Sequence, residues 1–572
     1  MRLKGIPISE GIAIAPILRV EDRELDTSRR KITDQKREIE LFKAAQKRTI
    51  EQLEALVSSA KKRFSSETVK IFEAQKTIAA DEEVEGMVAR MIEEDHVNAS
   101  YAIETVMNQY LTLFDRIDDA YLKERVEDVK DVRNRLIKNL LGLPIIDFAD
   151  LKEKVILVTT TITPSDMARI DPKYVKGIVT RFGGRTSHSA IIARLVGIPA
   201  VFGQDAILER AQTNDPAIID GTHGEVVLNP SAETKAYYQG RIEELKGLKK
   251  ELRTYVSKPS LTSDGTPVRL MANITSNRDL ALVKRDNADG IGLFRTEFLF
   301  LNRKSEPSET EQLAEYTAVL KGMSPKEVII RTVDIGGDKR ISYLEQDEEL
   351  NPFLGVRGIR LSLRRPKLFE TQLRALLKAS VHGNLRIMFP MITTKEEFLT
   401  AKGIVQAIKK DLFAAGIETA HVPLGAMIET PASALLASSL ASVADFFSIG
   451  TNDLIQYTMA ADRTNRRLND FYQPFNPALL GLIERVAKAA KAQGIPVGVC
   501  GEMASDRRVV PILIGLGIDE FSMTPKAILP MRQHVHTLEL SACQRIAARA
   551  LEQESEKDVL DLIEAEAKGR HA

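Results

Sequence analysis

The chain has 572 residues, and its 80 basic and 80 acidic side chains give a formal net charge of zero. The length suggests about three or four domains of ~150 residues. The charge balance argues against a protein that coats nucleic acid or an anionic membrane. The two cysteines, Cys500 and Cys543, exclude a disulfide framework and a multi-cysteine zinc site. We see no signal peptide and no apolar run of membrane-spanning length, so we expect a cytoplasmic protein without membrane insertion.

The first part of the chain predicts a discontinuous α/β domain. Residues 4–20 are β-branched and punctuated by glycine, which is typical of one or two short strands. Strand-like segments return over 154–229, with helical stretches between them. We therefore predict one α/β domain built from residues 1–24 and 146–230.

A helical insert interrupts that domain. Over residues 25–145 glycine and proline become rare, and apolar residues recur at helical spacing. Several amphipathic helices in succession favour an inserted helical hairpin bundle. A charged helix over 231–258 then acts as a linker and ends before Pro259. Breaks between the helices of the insert are expected near 65–66, 95–99 and 115–119.

The remaining residues, 259–572, predict a (β/α)8 barrel, the TIM barrel. Eight short apolar segments alternate there with helical stretches, and continuous apolar runs suit strands that are buried on both faces. The fold class is therefore multidomain α/β. The eight predicted strand segments are 268–274, 290–298, 328–335, 385–392, 423–430, 445–453, 496–503 and 519–525.

Polar side chains gather at the downstream ends of these segments, where barrel active sites form. Arginine presents a planar fork to phosphate oxygens. Glu429 and Asp453 are hard oxygen ligands that suit Mg²⁺ with water and substrate oxygens. The set predicts a site for a small phosphorylated, carboxylated anion bound with Mg²⁺. Its members are Arg295, Arg331, Glu429, Asn452, Asp453 and Cys500, with Lys339, Arg357 and Arg463 in nearby loops.

Cys500 has two interpretations at this stage. A lone cysteine in an apolar strand is often only a small buried hydrophobe. Its place at a predicted strand end also suits a proton donor or a nucleophile.

His188 lies in a different kind of motif. Gly183, Gly184 and the following residues up to His188 come after a predicted strand and open a helix. A glycine pair lets backbone N–H groups approach an anion, and a helix N-terminus favours negative charge. This setting favours neutral imidazole, the nucleophilic form, and stabilises a phosphoryl group once it is attached.

At this point the sequence resembles a known family. GGRTSHSAIIARLVGIPAVFG is similar to the phosphohistidine signature of the phosphoenolpyruvate-utilising enzymes, and DFFSIGTNDLIQYTMAADR with VGVCGEMASD is similar to their second signature. The order of helical insert, phosphohistidine domain, linker helix and barrel resembles the Enzyme I members of the bacterial phosphotransferase system. The resemblance covers essentially the whole chain.

The resemblance implies a role for each residue. His188 would be phosphorylated on Nε2, with Thr163 as its hydrogen-bond partner, and Cys500 would protonate the enolate carbon as pyruvate forms. Glu429 and Asp453 would bind Mg²⁺. The substrate-binding side chains would be Arg295, Arg331, Lys339, Arg357, Asn452 and Arg463.

The resemblance also implies partners. The histidine would receive its phosphoryl group from phosphoenolpyruvate at the barrel. A swivelling domain would then carry it to the phosphocarrier protein HPr, docked on the helical insert. The barrel would form a homodimer. The alternatives are a nitrogen-related Enzyme I, an enzyme like phosphoenolpyruvate synthase or dikinase, a barrel lyase or mutase, and a non-catalytic scaffold. The dikinase type needs an ATP-binding domain, for which the ~150 residues before the histidine domain are too few.

Two positions depart from the family pattern. Thr161 stands where an acidic residue is frequent, and Gln75 stands in the second helix of the insert where a histidine is frequent. We expect both to affect the surroundings of His188 or the docking of its partner rather than the chemistry of the barrel.

Overall fold

The computed structural model describes residues 1–20, 25–63, 66–115, 120–143, 148, 151–184, 187–301, 303, 305–337, 341, 343–344 and 349–569. It divides into two compact units, Met1–Gly247 and Leu248–Ala572. Within the described residues, no helix is both long and apolar enough to cross a membrane. The finer predicted boundaries, with an insert over 25–145 and a linker over 231–258, remain predictions.

The first unit is built on one mixed sheet, as the α/β prediction requires. Its strands follow the order β1-β8-β7-β3-β4-β5-β6-β2. The three strands at the start of the chain exceed the one or two that we predicted. The strands are β1 Arg2–Lys4, β2 Ile6–Ser9, β3 Ile12–Val20, β4 Val155–Thr159, β5 Val175–Thr180, β6 Ala200–Phe202, β7 Pro216–Asp220 and β8 Glu225–Leu228.

Strand β4 shows why this sheet is apolar on both faces. All five of its residues are buried. Val155 and Leu157 belong to the apolar cluster that continues into the helical insert, whereas Ile156 and Val158 belong to a second cluster on the opposite face. Successive side chains of a strand point to opposite faces, so an uninterrupted apolar run fits a strand that is covered on both sides.

The helices of the first unit include the five long ones of the insert. The expected break near 95–99 is present, and the other two expected breaks fall largely on residues outside the description. A further break, which was not predicted, follows Ala79, and Asp81 caps the next helix there by accepting from two backbone N–H groups. The helices are α1 Gln35–Arg63, α2 Ser66–Ala79, α3 Glu82–Asp95, α4 Ala99–Asp115, α5 Ala120–Leu140, α6 Pro164–Arg169, α7 His188–Val196, α8 Ile207–Arg210 and α9 Ala232–Arg253, the last of which continues past Gly247 into the residues of the second unit.

Gln75 joins the insert to the sheet domain. The side chain is fully buried, and its amide nitrogen donates to Asp128 and Asp131, each at 3.2 Å. Its amide oxygen accepts from the Ser165 hydroxyl at 3.0 Å. An amide is suited to this position because it offers a donor and an acceptor at once. The family departure at this position is therefore accommodated by a buried polar network.

The second unit contains the predicted eight-stranded parallel barrel, closed in the order β9 to β16. Helices alternate with the strands and cover the outside. The strands are β9 Arg269–Ile274, β10 Ile291–Arg295, β11 Glu327–Arg331, β12 Asn384–Phe389, β13 Leu424–Ile428, β14 Phe446–Ile449, β15 Val497–Val499 and β16 Glu520–Met523. The helices are α10 Leu280–Arg285, α11 Glu309–Met323, α12 Ile359–Arg364, α13 Pro366–Ala379, α14 Lys395–Ala414, α15 Pro431–Leu435, α16 Ala437–Ala441, α17 Thr451–Met459, α18 Pro477–Gln493, α19 Val510–Gly515, α20 Ile528–Val535, α21 Leu540–Leu551 and α22 Glu556–Gly569.

Most barrel strands end earlier than the predicted segments. The clearest case is the segment 445–453, whose strand ends at Ile449 and whose last residues start helix α17. Gly450 separates the two elements. A Cβ on this residue would lie 2.7 Å from Oε2 of Glu429, so a side chain is excluded there. Asp453 in the first turn is a favourable helix start, because a carboxylate there interacts well with the helix dipole.

A charged cluster lies at the amino-terminal ends of the barrel strands. Arg269 bridges two carboxylates, with 3.0 Å to Glu327 and 2.9 Å to Glu520, and Arg386 binds Glu327 at 2.6 Å. Burial raises the pKa of Glu520 to about 7, although Arg269 opposes the rise. The cluster is distant along every strand from the polar residues at the opposite ends, so its role is in stability.

We expect this cluster to make the stability of the barrel depend on pH. The folded state holds the Glu520 proton up to about pH 7, whereas the unfolded chain releases it near 4.5. The folded state binds more protons between these values, so stability falls as pH rises from 4.5 to 7, by about 2–3 kcal/mol. Glu520→Gln should flatten this part of a plot of thermal midpoint against pH. Glu309→Gln, which changes a partly exposed carboxylate, should keep the wild-type slope of thermal midpoint against pH. If the wild type, Glu520→Gln and Glu309→Gln all had the same slope, Glu520 would not be the source of the pH dependence.

Candidate active site at the barrel mouth

Strand alternation explains why charged side chains meet at the carboxyl ends of the strands. Ile329 belongs to the apolar cluster inside the barrel, whereas its neighbours Val328 and Ile330 pack towards the helices. Arg331, two residues after Ile329, therefore faces the interior at the end of strand β11. The same spacing relates Leu293 to Arg295 at the end of β10.

Arg331 is held between two carboxylates. Its Nη2 lies 2.6 Å from Oε1 of Glu297, and its Nη1 lies 3.2 Å from Oδ2 of Asp334. The side chain is almost fully buried, yet its Nε–H has no hydrogen-bond partner within the described part of the chain. A buried guanidinium donor without a partner carries a desolvation cost, which an anion bound in the barrel mouth would relieve.

Arg357 is another buried arginine at the barrel mouth. Its Nη2 lies 3.0 Å from Oδ2 of Asp334, and its Nη1 lies 2.9 Å from Oδ1 of Asp453. Asp334 thus contacts both Arg331 and Arg357, so one carboxylate fixes the spacing of two guanidinium groups. Sequence spacing does not predict this bridging role of Asp334, because the role depends on how the loop returns Arg357 to the interior.

Glu429 lies directly after strand β13 and is buried. Its Oε1 accepts a hydrogen bond of 2.6 Å from the backbone N–H of Met391. Met391 has φ of 58°, an unfavourable region for this residue type, so the backbone is strained where it supplies this donor. Burial raises the pKa of Glu429, and the nearby carboxylates of Asp453 and Asp334 raise it further.

The chemistry of this carboxylate pair fits a divalent cation. Glu429 and Asp453 are both buried. Arg331 and Arg357 offset part of the repulsion between the carboxylates, but burial and that repulsion still raise the pKa of Glu429, so a further positive charge would favour having both ionised. Within the described residues, no group of three or more His, Cys, Asp and Glu side chains forms a complete metal cage. Two protein carboxylates are a suitable ligand set for Mg²⁺, because this ion usually keeps several water ligands and is also coordinated by oxygen atoms of its substrate.

Cys500 follows strand β15 and lies with the apolar residues inside the barrel. Burial raises the pKa of its thiol to about 11, so the group is protonated at neutral pH. Asn273 holds the surrounding backbone, because its amide donates to the carbonyls of Cys500 and Ser522 at 3.3 and 3.2 Å. Cys543 is also buried, but it lies on helix α21 in the helical layer.

Three further side chains that were predicted to bind the substrate lie around the charged residues of the barrel mouth. The Arg295 side chain makes no hydrogen bond or ion pair with the part of the chain that the structure describes. Nη1 of Arg463 lies 3.6 Å from Oδ2 of Asp453. Oδ1 of Asn452 accepts from the backbone of Glu502 at 3.0 Å, which leaves its NH₂ group as the donor for a ligand. Lys339, which was also predicted to bind the substrate, lies outside the described residues.

The histidine motif belongs to the first unit. His188 is the first residue of α7, and Ser187 caps the helix by accepting from the N–H of Ala190 at 3.2 Å. The side chain of His188 lies outside the described part of the structure. The Ser189 hydroxyl donates to the carbonyl of Ile162 at 2.5 Å, so the start of α7 lies against the residue before Thr163.

Thr163 has a structural role of its own. Its hydroxyl donates to Asp166 at 2.9 Å and accepts from the Asp166 backbone at 3.1 Å, which makes it the cap of helix α6. Its predicted hydrogen bond to His188 stays a prediction. The Ser189 contact beside it was missed, since a serine in an apolar helix gives no sequence signal of its partner.

Comparison with known proteins decides the family. Residues 249–540 match the family described as PEP-utilising enzyme, PEP-binding domain. Residues 4–125 match its N-terminal domain, and 151–224 match its mobile domain. The chain belongs to the PEP-utilising enzyme family. Within this family it is similar to proteins named phosphoenolpyruvate-protein phosphotransferase, so it is a phosphotransferase enzyme.

The similarity to these relatives extends over nearly the whole chain. The protein of Staphylococcus carnosus (strain TM300) is 42% identical over 564 residues, which cover 98% of each chain. That of Bacillus subtilis (strain 168) is 43% identical over 562 residues, covering 98% of this chain and 99% of the relative. Among solved structures, the solution structure of Enzyme I (nEIt) is 36% identical, covers 43% of this chain and 99% of that one, and has a TM-score of 0.39.

Proposed function

We propose that this enzyme transfers the phosphoryl group of phosphoenolpyruvate to His188, releases pyruvate, and then phosphorylates the carrier protein HPr, the first step of sugar uptake by the phosphotransferase system. The names of the relatives support the donor and the protein acceptor. The observation that carries the proposal is the buried cluster of Arg331, Arg357, Glu429 and Asp453, which combines phosphate-binding forks with a carboxylate pair for a metal ion.

The arginines act on the phosphoryl group. In a loose transfer transition state, negative charge spreads over the oxygens of the phosphoryl group, and catalysis comes from positioning and electrostatic stabilisation. Arg331 and Arg357 are fixed beforehand by Asp334, so they need little reorganisation when the substrate binds. Arg295 and Arg463 are less tightly held and complete the site from its rim, together with the Asn452 amide. Lys339 is the remaining residue to which this proposal gives a part in binding the phosphoryl group.

The transfer step conserves atoms and charge. The bond between phosphorus and the enol oxygen of phosphoenolpyruvate breaks, and a bond from phosphorus to Nε2 of His188 forms. The electron pair left on the enol oxygen gives an enolate, whose C3 takes the thiol proton of Cys500. A thiol with a pKa of about 11 holds that proton until the basic enolate carbon removes it.

Glu429 and Asp453 would hold Mg²⁺ in this proposal. When bound, the ion neutralises charge on the substrate oxygens. Because burial and neighbouring carboxylates raise the pKa of Glu429, the proton on Glu429 competes with the metal ion. The site therefore favours metal at higher pH.

This competition gives a testable pH dependence. We expect the Mg²⁺ concentration needed for half-maximal phosphorylation to rise as pH falls from 8 to 6, by about tenfold per pH unit below the pKa of Glu429. Titrating Mg²⁺ at fixed, saturating phosphoenolpyruvate at several pH values measures it. A Mg²⁺ requirement that stays constant over this range would contradict protonation of Glu429 in the metal-free site.

The remaining parts of the proposal concern partners. HPr docks on the helical insert, which interrupts the histidine domain and carries none of the catalytic residues, and the barrel forms a homodimer in the cytoplasm. The histidine domain must reach the barrel mouth to be phosphorylated and then leave it to phosphorylate HPr.

Hydrogen exchange with and without HPr tests the docking surface. We expect slowed exchange within helices α1 to α5, and slowing confined to the barrel would refute this surface.

The activity itself is tested by incubating the purified chain with Mg²⁺ and phosphoenolpyruvate labelled on phosphorus. We expect an acid-labile, base-stable label on the protein, one pyruvate per label, and transfer of the label to added HPr. Labelling that requires ATP would favour the dikinase alternative. A label that forms but never moves to HPr would favour another carrier, and no label at all would favour the scaffold or the barrel lyase.

A further inference from the structure

Tyr457 connects two parts of the barrel mouth that are far apart in sequence. It lies on helix α17, one turn after Asp453. Its hydroxyl donates to the carbonyl of Phe353 at 2.5 Å and accepts from Nη1 of Arg357 at 3.3 Å. A tyrosine hydroxyl has one donor and can accept as well, so both contacts are compatible.

The Tyr457 hydroxyl holds the loop that carries Phe353 and Arg357. Over residues 349–358, which precede helix α12, the exposure changes sharply: Leu350 is 99% and Leu354 is 64% exposed, whereas Arg357 is only 3% exposed. Glu349 closes the base of the turn by accepting from the N–H of Val356 at 2.9 Å. The Tyr457 hydroxyl then fixes the middle of the loop and its buried arginine to the helix that carries Asp453.

The Tyr457 hydroxyl also helps to fix the orientation of the Arg357 guanidinium group. Nη1 of Arg357 is shared between Asp453 Oδ1 at 2.9 Å and the Tyr457 hydroxyl. The opposite nitrogen, Nη2, binds Asp334. With both ends of the fork held, Arg357 has one orientation. Phe353, held through its carbonyl, places its ring 6.0 Å from the guanidinium carbon of Arg463.

We propose that Tyr457 is a positioning residue for substrate binding, which acts by fixing the orientation of Arg357 and the loop beneath Arg463. The inference rests on the proposed function, since it assigns Arg357 to the substrate. As a positioning residue, Tyr457 transfers no proton and contacts no reacting atom. Its effect is on how well the arginines fit the phosphoryl group before transfer.

The test compares Tyr457→Phe with Tyr316→Phe. Tyr316 is a buried tyrosine of the same barrel whose hydroxyl donates to Gln312 at 3.0 Å and accepts from Gln372 at 3.1 Å, so its bonds go to neither Phe353 nor Arg357. Initial rates of pyruvate formation at saturating Mg²⁺ and excess HPr, over a range of phosphoenolpyruvate concentrations, give KM and kcat. We expect Tyr457→Phe to raise KM about tenfold and to change kcat by less than about twofold, because one hydrogen bond to a charged group is lost. Tyr316→Phe should lower the melting temperature and leave KM unchanged.

A double variant shows whether the effect passes through Arg357. If Tyr457 acts by orienting this arginine, adding Tyr457→Phe to Arg357→Lys should raise KM by less than about twofold beyond Arg357→Lys alone, since coupled residues are not additive. A full additional tenfold rise, or a KM of Tyr457→Phe equal to that of the wild type, would overturn the proposal. A wild-type chain that accepts no label from phosphoenolpyruvate would instead refute the proposed function on which it rests.

Discussion

Replacing Cys500 by alanine is expected to lower steady-state pyruvate formation by about 10²–10⁴-fold, the usual contribution of a positioned general acid. The thiol is buried, and burial keeps it protonated by raising its pKa to about 11. Among the buried residues of the cluster inside the barrel, it is the one that carries a transferable proton. Without it, the enolate must wait for a proton from water. Coupling pyruvate to lactate dehydrogenase measures the rate.

Cys543→Ala is the matched control for this variant. Cys543 is equally buried, carries the same thiol, and lies on helix α21 instead of at a strand end. We expect it to keep wild-type activity. A Cys500→Ala enzyme that forms pyruvate at the wild-type rate would show that Cys500 is a packing residue, the alternative that the sequence left open.

The second large effect is expected at Arg331. Arg331→Lys keeps the positive charge between Glu297 and Asp334 but removes the planar fork and the Nε–H that has no partner in the described structure. We expect kcat/KM for phosphoenolpyruvate to fall by about 10²–10³-fold, comparable to the loss of one preorganised donor to a developing charge. Initial rates over a range of substrate concentrations give this ratio.

Arg374→Lys controls for the substitution itself. Arg374 pairs with Glu309 at 3.4 Å on the outside of the barrel, and it is partly exposed. Its replacement should leave kcat/KM within about twofold of the wild type, because exposed ion pairs contribute little. If Arg331→Lys did the same, then Arg331 would serve only to neutralise buried carboxylates.

The sequence predicted the barrel and most of the residues at its mouth because both depend on local patterns. Alternating apolar segments predict strands, and the polar residue after each segment predicts a side chain at the shared end of the barrel. Arg295, Arg331, Glu429 and Cys500 were located in this way. The helix start at Asn452 and Asp453 was taken as strand, since the apolar run before it does not show where the strand ends.

The contacts that the sequence missed join residues far apart in the chain. The strained backbone of Met391 reaches Glu429, and the hydroxyl of Tyr457 reaches Phe353 and Arg357. Neither set of contacts can be predicted from the spacing of residues in the sequence, because each depends on how a loop returns to the barrel. The buried site of Gln75 is a similar case, since its partners lie on helices α5 and α6.

The proposed mechanism requires His188 as the phosphoryl carrier. The most direct measurement is the amount of acid-labile label that each variant takes from phosphoenolpyruvate and Mg²⁺. His223→Ala removes a histidine of the same unit, whose ring contacts Asp220 at 2.8 Å in a turn, and it should label like the wild type. His188→Ala should take up no acid-labile label. If it retained wild-type labelling, the phosphoryl group would be carried elsewhere, and the proposed mechanism would be wrong.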